Sequence, residues 1–286
     1  MTSELTIPKS LLLEVTAKCN YHCPWCYCVW HEASGQKPPN LPARTWRRII
    51  QAALQCGVQE LTFTGGEATL RPDWKELLAF ARQCSPTLRL ALFTNGSRLT
   101  EADLQFCKNH QIYLSVSLQG LRTYAMMTGT RRTYRKTIEL LVRLQDIHWP
   151  ASVGITANRT NLFELADICG AAMLAGASCI QVNAMMLEGK ARSRTDLALC
   201  LSEWNQAKEA IRERYPDYRN LFFSDETLCH CRFQPDSLKE WDLQKPRNCP
   251  AGTAFGVINP QGYYRRCLHT TERIVHWNQL LQENLP

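Results

Sequence analysis

Cys19, Cys23 and Cys26 stand in a C-x3-C-x2-C array, within Cys-Asn-Tyr-His-Cys-Pro-Trp-Cys and just after the apolar run Leu11 to Val15. Three thiolates on one short loop are one too few for a closed four-thiolate zinc site. They suit a cubane iron–sulfur cluster ligated at three irons, with the fourth iron open to a ligand and to chemistry. A zinc loop borrowing a distant fourth ligand, or a chance crowding of thiols, are the competing readings of the triplet alone.

With Trp25 just before the third cysteine, the triplet resembles the radical S-adenosylmethionine (SAM) superfamily. A second motif of that family follows at about one strand–helix–strand unit: Thr64-Gly65-Gly66-Glu67. The resemblance implies a [4Fe–4S] cluster on Cys19, Cys23 and Cys26, with Trp25 beside the adenine. It also implies that Gly65, Gly66 and Glu67 receive the SAM amino group. Glycines let a backbone approach a ligand closely, and a carboxylate pairs with an ammonium. Ala68 stands where the family usually has Pro. Thr94-Asn95-Gly96 and Ser117-Leu118-Gln119-Gly120 resemble strand endings of the subgroup with a C-terminal SPASM or twitch extension. There Asn95 and Ser117 are expected at the cofactor, Ser117 at the SAM carboxylate, with Gln119 replacing the usual Asp. Glu188-Gly189-Lys190-Ala191 resembles the Gly-Arg-Ala that ends the barrel in this subgroup.

These residues must be positioned by the elements around them. The 286 residues, 45% of them hydrophobic, suffice for a sizeable core, and no apolar run is long enough to cross a membrane. The first ten residues carry Glu4 and Lys9 and form no signal peptide, so the fourteen cysteines read as reduced thiols and metal ligands in a cytoplasmic protein. The net charge of +7 comes with basic clusters at Arg131-Arg132 with Arg135-Lys136, at Lys190 to Arg194, and at Arg265-Arg266. These read as solvated surface. No basic and aromatic stripe suggests a nucleic-acid partner.

Strand and helix signals alternate. Strands are expected at 11–15, 59–64, 88–94, 112–118, 151–157 and 178–183, with helices at 42–56, from Pro72, from Thr100, at 134–144 and at 162–175. Thr100 and Asp103 have the reciprocal capping pattern. Six such repeats imply a parallel sheet with helices outside it. The expected fold is α/β: a partial (β/α)6 TIM-like barrel over residues 1–195, then a small twitch-type hairpin–helix extension over 196–286. In such folds the chemistry gathers at the C-terminal ends of the strands.

Beyond Ala191 the alternation stops. Leu201 to Tyr215 reads as an amphipathic helix capped by Ser202, and 217–248 as loop. Asn259-Pro-Gln-Gly262 is a turn between two short strands, a hairpin bracketed by Cys249 and Cys267. The spacing C-x12-G-x4-C resembles the opening of SPASM and twitch domains and implies one auxiliary iron–sulfur cluster. Its ligands are expected among Cys249, Cys267, Cys229 and Cys231, with His230 and His269 nearby. A zinc hairpin is the alternative. Cys56, Cys84, Cys107 and Cys169 read as buried hydrophobes. Cys28 is the one candidate for a catalytic thiol.

The resemblance implies reductive cleavage of SAM, fed by a reductant such as flavodoxin or ferredoxin, and hydrogen-atom abstraction from a substrate. A peptide is the expected substrate, oxidised by crosslinking or desaturation. The alternatives are a small-molecule dehydrogenase acting on a sugar or aminocyclitol, and a non-catalytic iron–sulfur or zinc scaffold. A scaffold would have no use for Gly65-Gly66-Glu67.

Overall fold

The computed structural model describes residues 6–31, 39–223 and 250–279. Seven strands follow in chain order: β1 (Ser10–Thr16), β2 (Glu60–Gly65), β3 (Arg89–Thr94), β4 (Ile112–Ser117), β5 (Ala151–Ala157), β6 (Cys179–Ala184) and β7 (Leu221–Phe223). Each pairs in parallel with the next. The long helices are α1 (Ala43–Gln55), α2 (Trp74–Cys84), α3 (Glu101–Asn109), α5 (Arg135–Asp146), α6 (Leu165–Leu174) and α7 (Leu201–Arg214), with a short α4 (Tyr124–Thr128) after β4. Parallel neighbours need a crossover, and a helix lies in every crossover from β1 to β7. Between β1 and β2, for example, α1 buries Trp46, Ile49, Ile50 and Ala53. β8 (Phe255–Ile258) pairs with the far side of β1, also in parallel. β9 (Tyr263–Arg265) and β10 (Val275–His276) continue the sheet antiparallel. The sheet is open, with β10 and β7 at its edges. The C-terminal hairpin is thus hydrogen-bonded into the barrel's own sheet.

Strand alternation sorts the side chains. In β4, β5 and β6 the buried positions (Leu114, Val116, Val153, Ile155, Ile180, Val182) meet the helices in one continuous core. The opposite face carries Tyr113, Ser115, Ser117, Ser152, Thr156, Gln181 and Asn183, all partly or fully exposed. Registers line them up: Ser117, Gly154, Gln181 and Phe222 form one row across four strands. A Cβ built on Gly154 would meet nothing within 4 Å, so this row borders open space.

The expected helices and capping box are present: Thr100 accepts from the Asp103 N–H at 3.3 Å, and the Asp103 carboxylate accepts from the Thr100 N–H at 2.8 Å. Four expectations need correction. Residues 221–223 form β7, too short a strand to carry a periodic signal. The N-cap of α7 is Cys200, not Ser202; the Cys200 N–H donates to Glu203 at 2.7 Å. Cys107 and Cys169 are buried, but Cys84, at the end of α2, is exposed and Cys56 half-buried. Arg265 is not solvated surface. It is 1% exposed and paired with the equally buried Glu14 on β1.

The loop after β4 is held by Glu164, whose buried carboxylate accepts from the N–H groups of Leu121 (3.0 Å), Arg122 (2.9 Å) and Thr123 (3.1 Å) and from the Thr123 hydroxyl. Burial pushes its carboxyl up, but these hydrogen bonds outweigh that and hold it below the ordinary 4.5. Glu164→Gln is therefore expected to cost about 3 kcal/mol, since an amide donor replaces part of a charged acceptor. The sign with pH follows. A depressed carboxyl contributes its stability above 4.5 and loses it as pH falls through the lower folded value. Urea melts of wild type and variant should converge as the pH drops from neutrality into that range. A gap that stays constant would remove Glu164 as the source.

Candidate functional site

The cysteine loop leaves β1 at Thr16, at the C-terminal end of the sheet, and three neighbouring segments fix its path. After β3, the Asn95 side-chain N–H donates to Asn20 Oδ1 at 3.0 Å, and Asn20 Nδ2 donates to Ser97 Oγ at 2.8 Å. After β4, the His22 N–H donates to the Thr128 carbonyl at 2.9 Å, and Trp25 Nε1 donates to the Met127 carbonyl at 2.7 Å. After β6, the Lys190 N–H donates to the Cys26 carbonyl at 2.8 Å. Trp25, 8% exposed, packs with Met127, Met185, Leu187, Ala191 and Leu197 in a second apolar cluster, and so anchors the loop. Asn20 carries no signal of its own in the sequence. Its position between two of the cysteines is the only clue to its role.

Cys19, Cys23 and Cys26 are partly exposed and close enough to affect one another. Burial, then the Cys26 and Cys19 thiolates, push the Cys23 thiol well above its ordinary value. Three bare thiolates are thus disfavoured here, whereas bound iron would compensate their charge. Among the described residues, no three His, Cys, Asp or Glu side chains form a group that could hold a single ion. Three thiols on one loop suit a multi-iron cluster, one thiolate to each of three irons. Cys28 is 3% exposed, and its thiol points to the Gly65 carbonyl at 3.7 Å, a packed position.

The glycine pair is required by backbone proximity. A Cβ on Gly66 would lie 2.2 Å from the Lys18 carbonyl oxygen, and one on Gly65 (φ +126°) 2.3 Å from that of Thr16. The Gly66 and Glu67 N–H groups donate to Thr16 O (2.7 Å) and Lys18 O (2.8 Å). The motif therefore clamps the start of the cysteine loop. Glu67 is 1% exposed. Its Oε1 accepts from the Thr69 N–H (3.2 Å), the Thr69 hydroxyl (2.6 Å) and the Thr94 hydroxyl (2.7 Å), and its Oε2 from the Asn95 N–H (2.7 Å). Burial raises its carboxyl, and these hydrogen bonds pull it back. Four donors tie this carboxylate to the end of β3 and the turn after β2. An ammonium has left to it only the remaining lone pair of Oε2 and nearby carbonyls.

Ser117 lies on the open face beside Gly154. Gln119 is spent on β5: its Oε1 accepts from the Thr156 N–H at 2.7 Å, and its Nε2 donates to the Gly154 carbonyl at 3.3 Å. An Asp could accept but not donate, so the amide itself suits this clamp.

From the C-terminal side, Arg265 reaches Glu14 and donates to the Thr270 carbonyl at 2.7 Å. Tyr27 meets His269 edge-on, ring centroids 5.1 Å apart. The His269 N–H approaches Cys267 Sγ at 3.4 Å. Burial, then Arg265, lowers the His269 imidazole to about 4. The hairpin end bearing Cys267 thus abuts the residue after Cys26. Cys229, His230, Cys231 and Cys249 lie outside the described residues.

A mostly parallel, open α/β sheet with a three-cysteine loop at its strand ends is a frame suited to an iron–sulfur cluster. The chain belongs to the Radical SAM superfamily, whose sequence pattern matches residues 13–165. Members use a [4Fe–4S] cluster and SAM. The chain is 26% identical over 188 residues to the sporulation killing factor maturation protein SkfB of Bacillus subtilis, covering 65% of this chain and 44% of that protein. It is 26% identical over 278 residues to the PqqA peptide cyclase of Bradyrhizobium diazoefficiens, covering 94% of this chain and 68% of that one. The fold matches Streptococcus suis SuiB bound to its precursor peptide SuiA, with TM-score 0.75, 15% identity, and coverage of 95% of this chain and 62% of that one. The chain thus spans less than half of SkfB and about three-fifths of SuiB.

Proposed function

We propose that this chain oxidatively modifies a peptide, by crosslinking or desaturation. The observation that carries this reading is the alignment along 94% of the chain with a peptide cyclase. Cys19, Cys23 and Cys26 hold the cluster; Gly65, Gly66, Glu67, Asn95 and Ser117 border the SAM site, with Trp25 anchoring the loop beneath it. When bound, cluster and SAM supply, after one-electron reduction, a radical able to abstract a hydrogen atom from an unactivated carbon. The chain's own residues do the rest. Glu67 and Asn20 fix the loop against β3, and the row Ser117–Gly154–Gln181 leaves room for the reacting side chain. Residues 1–195 form the catalytic unit. Residues 196–286 carry a twitch-type region, with Cys267 and Cys249 holding an auxiliary cluster with Cys229 or Cys231. A flavodoxin or ferredoxin supplies electrons in the cytoplasm.

The test uses anaerobically reconstituted protein, reductant, SAM and a short peptide encoded beside the gene. The expected product has lost two hydrogen atoms by mass, with 5′-deoxyadenosine formed alongside. SAM cleavage with every neighbouring peptide left unmodified, and a sugar alcohol oxidised instead, would overturn the peptide reading.

A further inference from the structure

Gly154, in the middle of β5, lacks both reasons that account for every other glycine among the described residues. Each of the others has a positive φ or would place a Cβ within 2.5 Å of a neighbouring atom. Gly154 has no positive φ, and its Cβ would meet nothing within 4 Å. A glycine inside a strand weakens it and often stands where a ligand comes close. The positions around it are small as well. Ser117 on β4 pairs with Gly154, and Ser115 pairs with Ser152, two residues earlier on β5. The four form a block about 5 Å across the strands and about 7 Å along them, the footprint of one aromatic ring. Phe93 on β3, 41% exposed, pairs with Ser115 and walls one side of this hollow. Gln181 on β6, exposed, pairs with Gly154 and walls the other. Among the described residues, the three serine hydroxyls and the Gln181 amide have no hydrogen-bond partner. None of these six side chains is charged.

We infer that the hollow seats an uncharged aromatic side chain of the substrate, with Gly154 and Phe93 as the specificity-determining residues. Gly154 sets the size of the ring that enters. Phe93 offers it an aromatic partner, edge-on or offset. The unspent hydroxyls and amide suit a polar atom on the ring. A lysine or glutamate side chain would lose its water here and find no counter-charge. Ser117 also borders the SAM site, so a side chain in the hollow lies beside the reacting centre. The inference rests on the peptide reading above and narrows it to the residue type that is held.

Valine at position 154 fills the hollow and suits a strand, so Gly154→Val should fold. N-acetyltyrosinamide, N-acetylleucinamide and N-acetyllysinamide are each titrated into anaerobically reconstituted protein in the presence of SAM, with binding followed by saturation-transfer NMR. Wild type should bind the tyrosine compound in preference to the other two. Gly154→Val should bind it about tenfold or more weakly. Among peptides that wild type modifies, replacing the aromatic residue at the modified position with Leu should lower kcat/KM, and Gly154→Val should narrow that preference. A merely structural role for Gly154 would leave the preference unmoved. Equal binding of the lysine compound, no binding of the tyrosine compound to wild type, or undiminished binding in the variant overturns the inference. So does loss of SAM binding in Gly154→Val, which gives the space to the cofactor. If Gly154→Val does not fold, Phe93→Leu takes its place, and unchanged affinity for the tyrosine compound there overturns the inference equally. If wild type modifies no peptide, the peptide reading fails, while the binding titrations still judge the hollow.

Discussion

Replacing Cys19, Cys23 and Cys26 together with alanine is expected to abolish SAM cleavage while leaving the fold in place. The loop gains long, weak contacts from its thiols, the Cys23 thiol to the Thr128 carbonyl at 3.8 Å and the Tyr21 N–H to Cys19 Sγ at 3.4 Å. Its path is set by main-chain and indole hydrogen bonds to Met127, Thr128 and Lys190 and by Asn20. Melting behaviour and circular dichroism should therefore stay close to wild type. Iron should fall by about four per chain, the content of one cubane. If the C-terminal region holds a second cluster, reconstituted wild type starts near eight irons and the variant keeps about four. Persistent 5′-deoxyadenosine formation in the triple variant would show that these cysteines do not hold the reactive cluster.

The second large effect concerns the buried Glu14–Arg265 pair. Arg265→Met leaves the Glu14 carboxylate in the interior without its counter-charge. Removing one partner of such a pair costs about 3–5 kcal/mol. Burial already raises the Glu14 carboxyl, with Arg265 opposing that rise. Without the guanidinium, Glu14 takes up a proton more readily. The folded variant then binds more protons than its unfolded chain, so it loses stability as pH rises through the raised folded value. Urea melts should show a larger deficit at mildly alkaline than at mildly acidic pH. The double variant Glu14→Gln/Arg265→Met should recover more than half of the loss at the alkaline end. A double variant no better than the single would mean that the arginine acts through its bonds to the Leu268 and Thr270 carbonyls instead.

The candidate site residues at the strand ends stand out in the sequence because their signals are local. The cysteine spacing, the glycine pair and the alternating strands all lie within short windows, and the structure assembles them at one end of one sheet. What escapes the sequence depends on partners far along the chain. Glu164 reads as an ordinary helix-start acid until the loop after β4 folds onto it. Arg265 sits in a basic dipeptide and looks solvated, because nothing nearby reveals Glu14, 251 residues away. Glu67 is legible only through the ligand its family motif implies. Its bonds to Thr94 and Asn95 appear only once β2 and β3 are in register. Gln119 looks like a lost acid, yet its amide makes two bonds to β5 that a carboxylate could not both make.

The open row at Ser117, Gly154 and Gln181 has a consequence for how this protein can change. The large apolar side chains that hold the strands together point to the helices, and the opposite face of β4 to β6 contributes little to that packing. Residues on the open face can be exchanged without disturbing the scaffold's cohesion. Variation can therefore accumulate along this row at little cost to stability, starting from Gly154, where an added Cβ meets nothing within 4 Å.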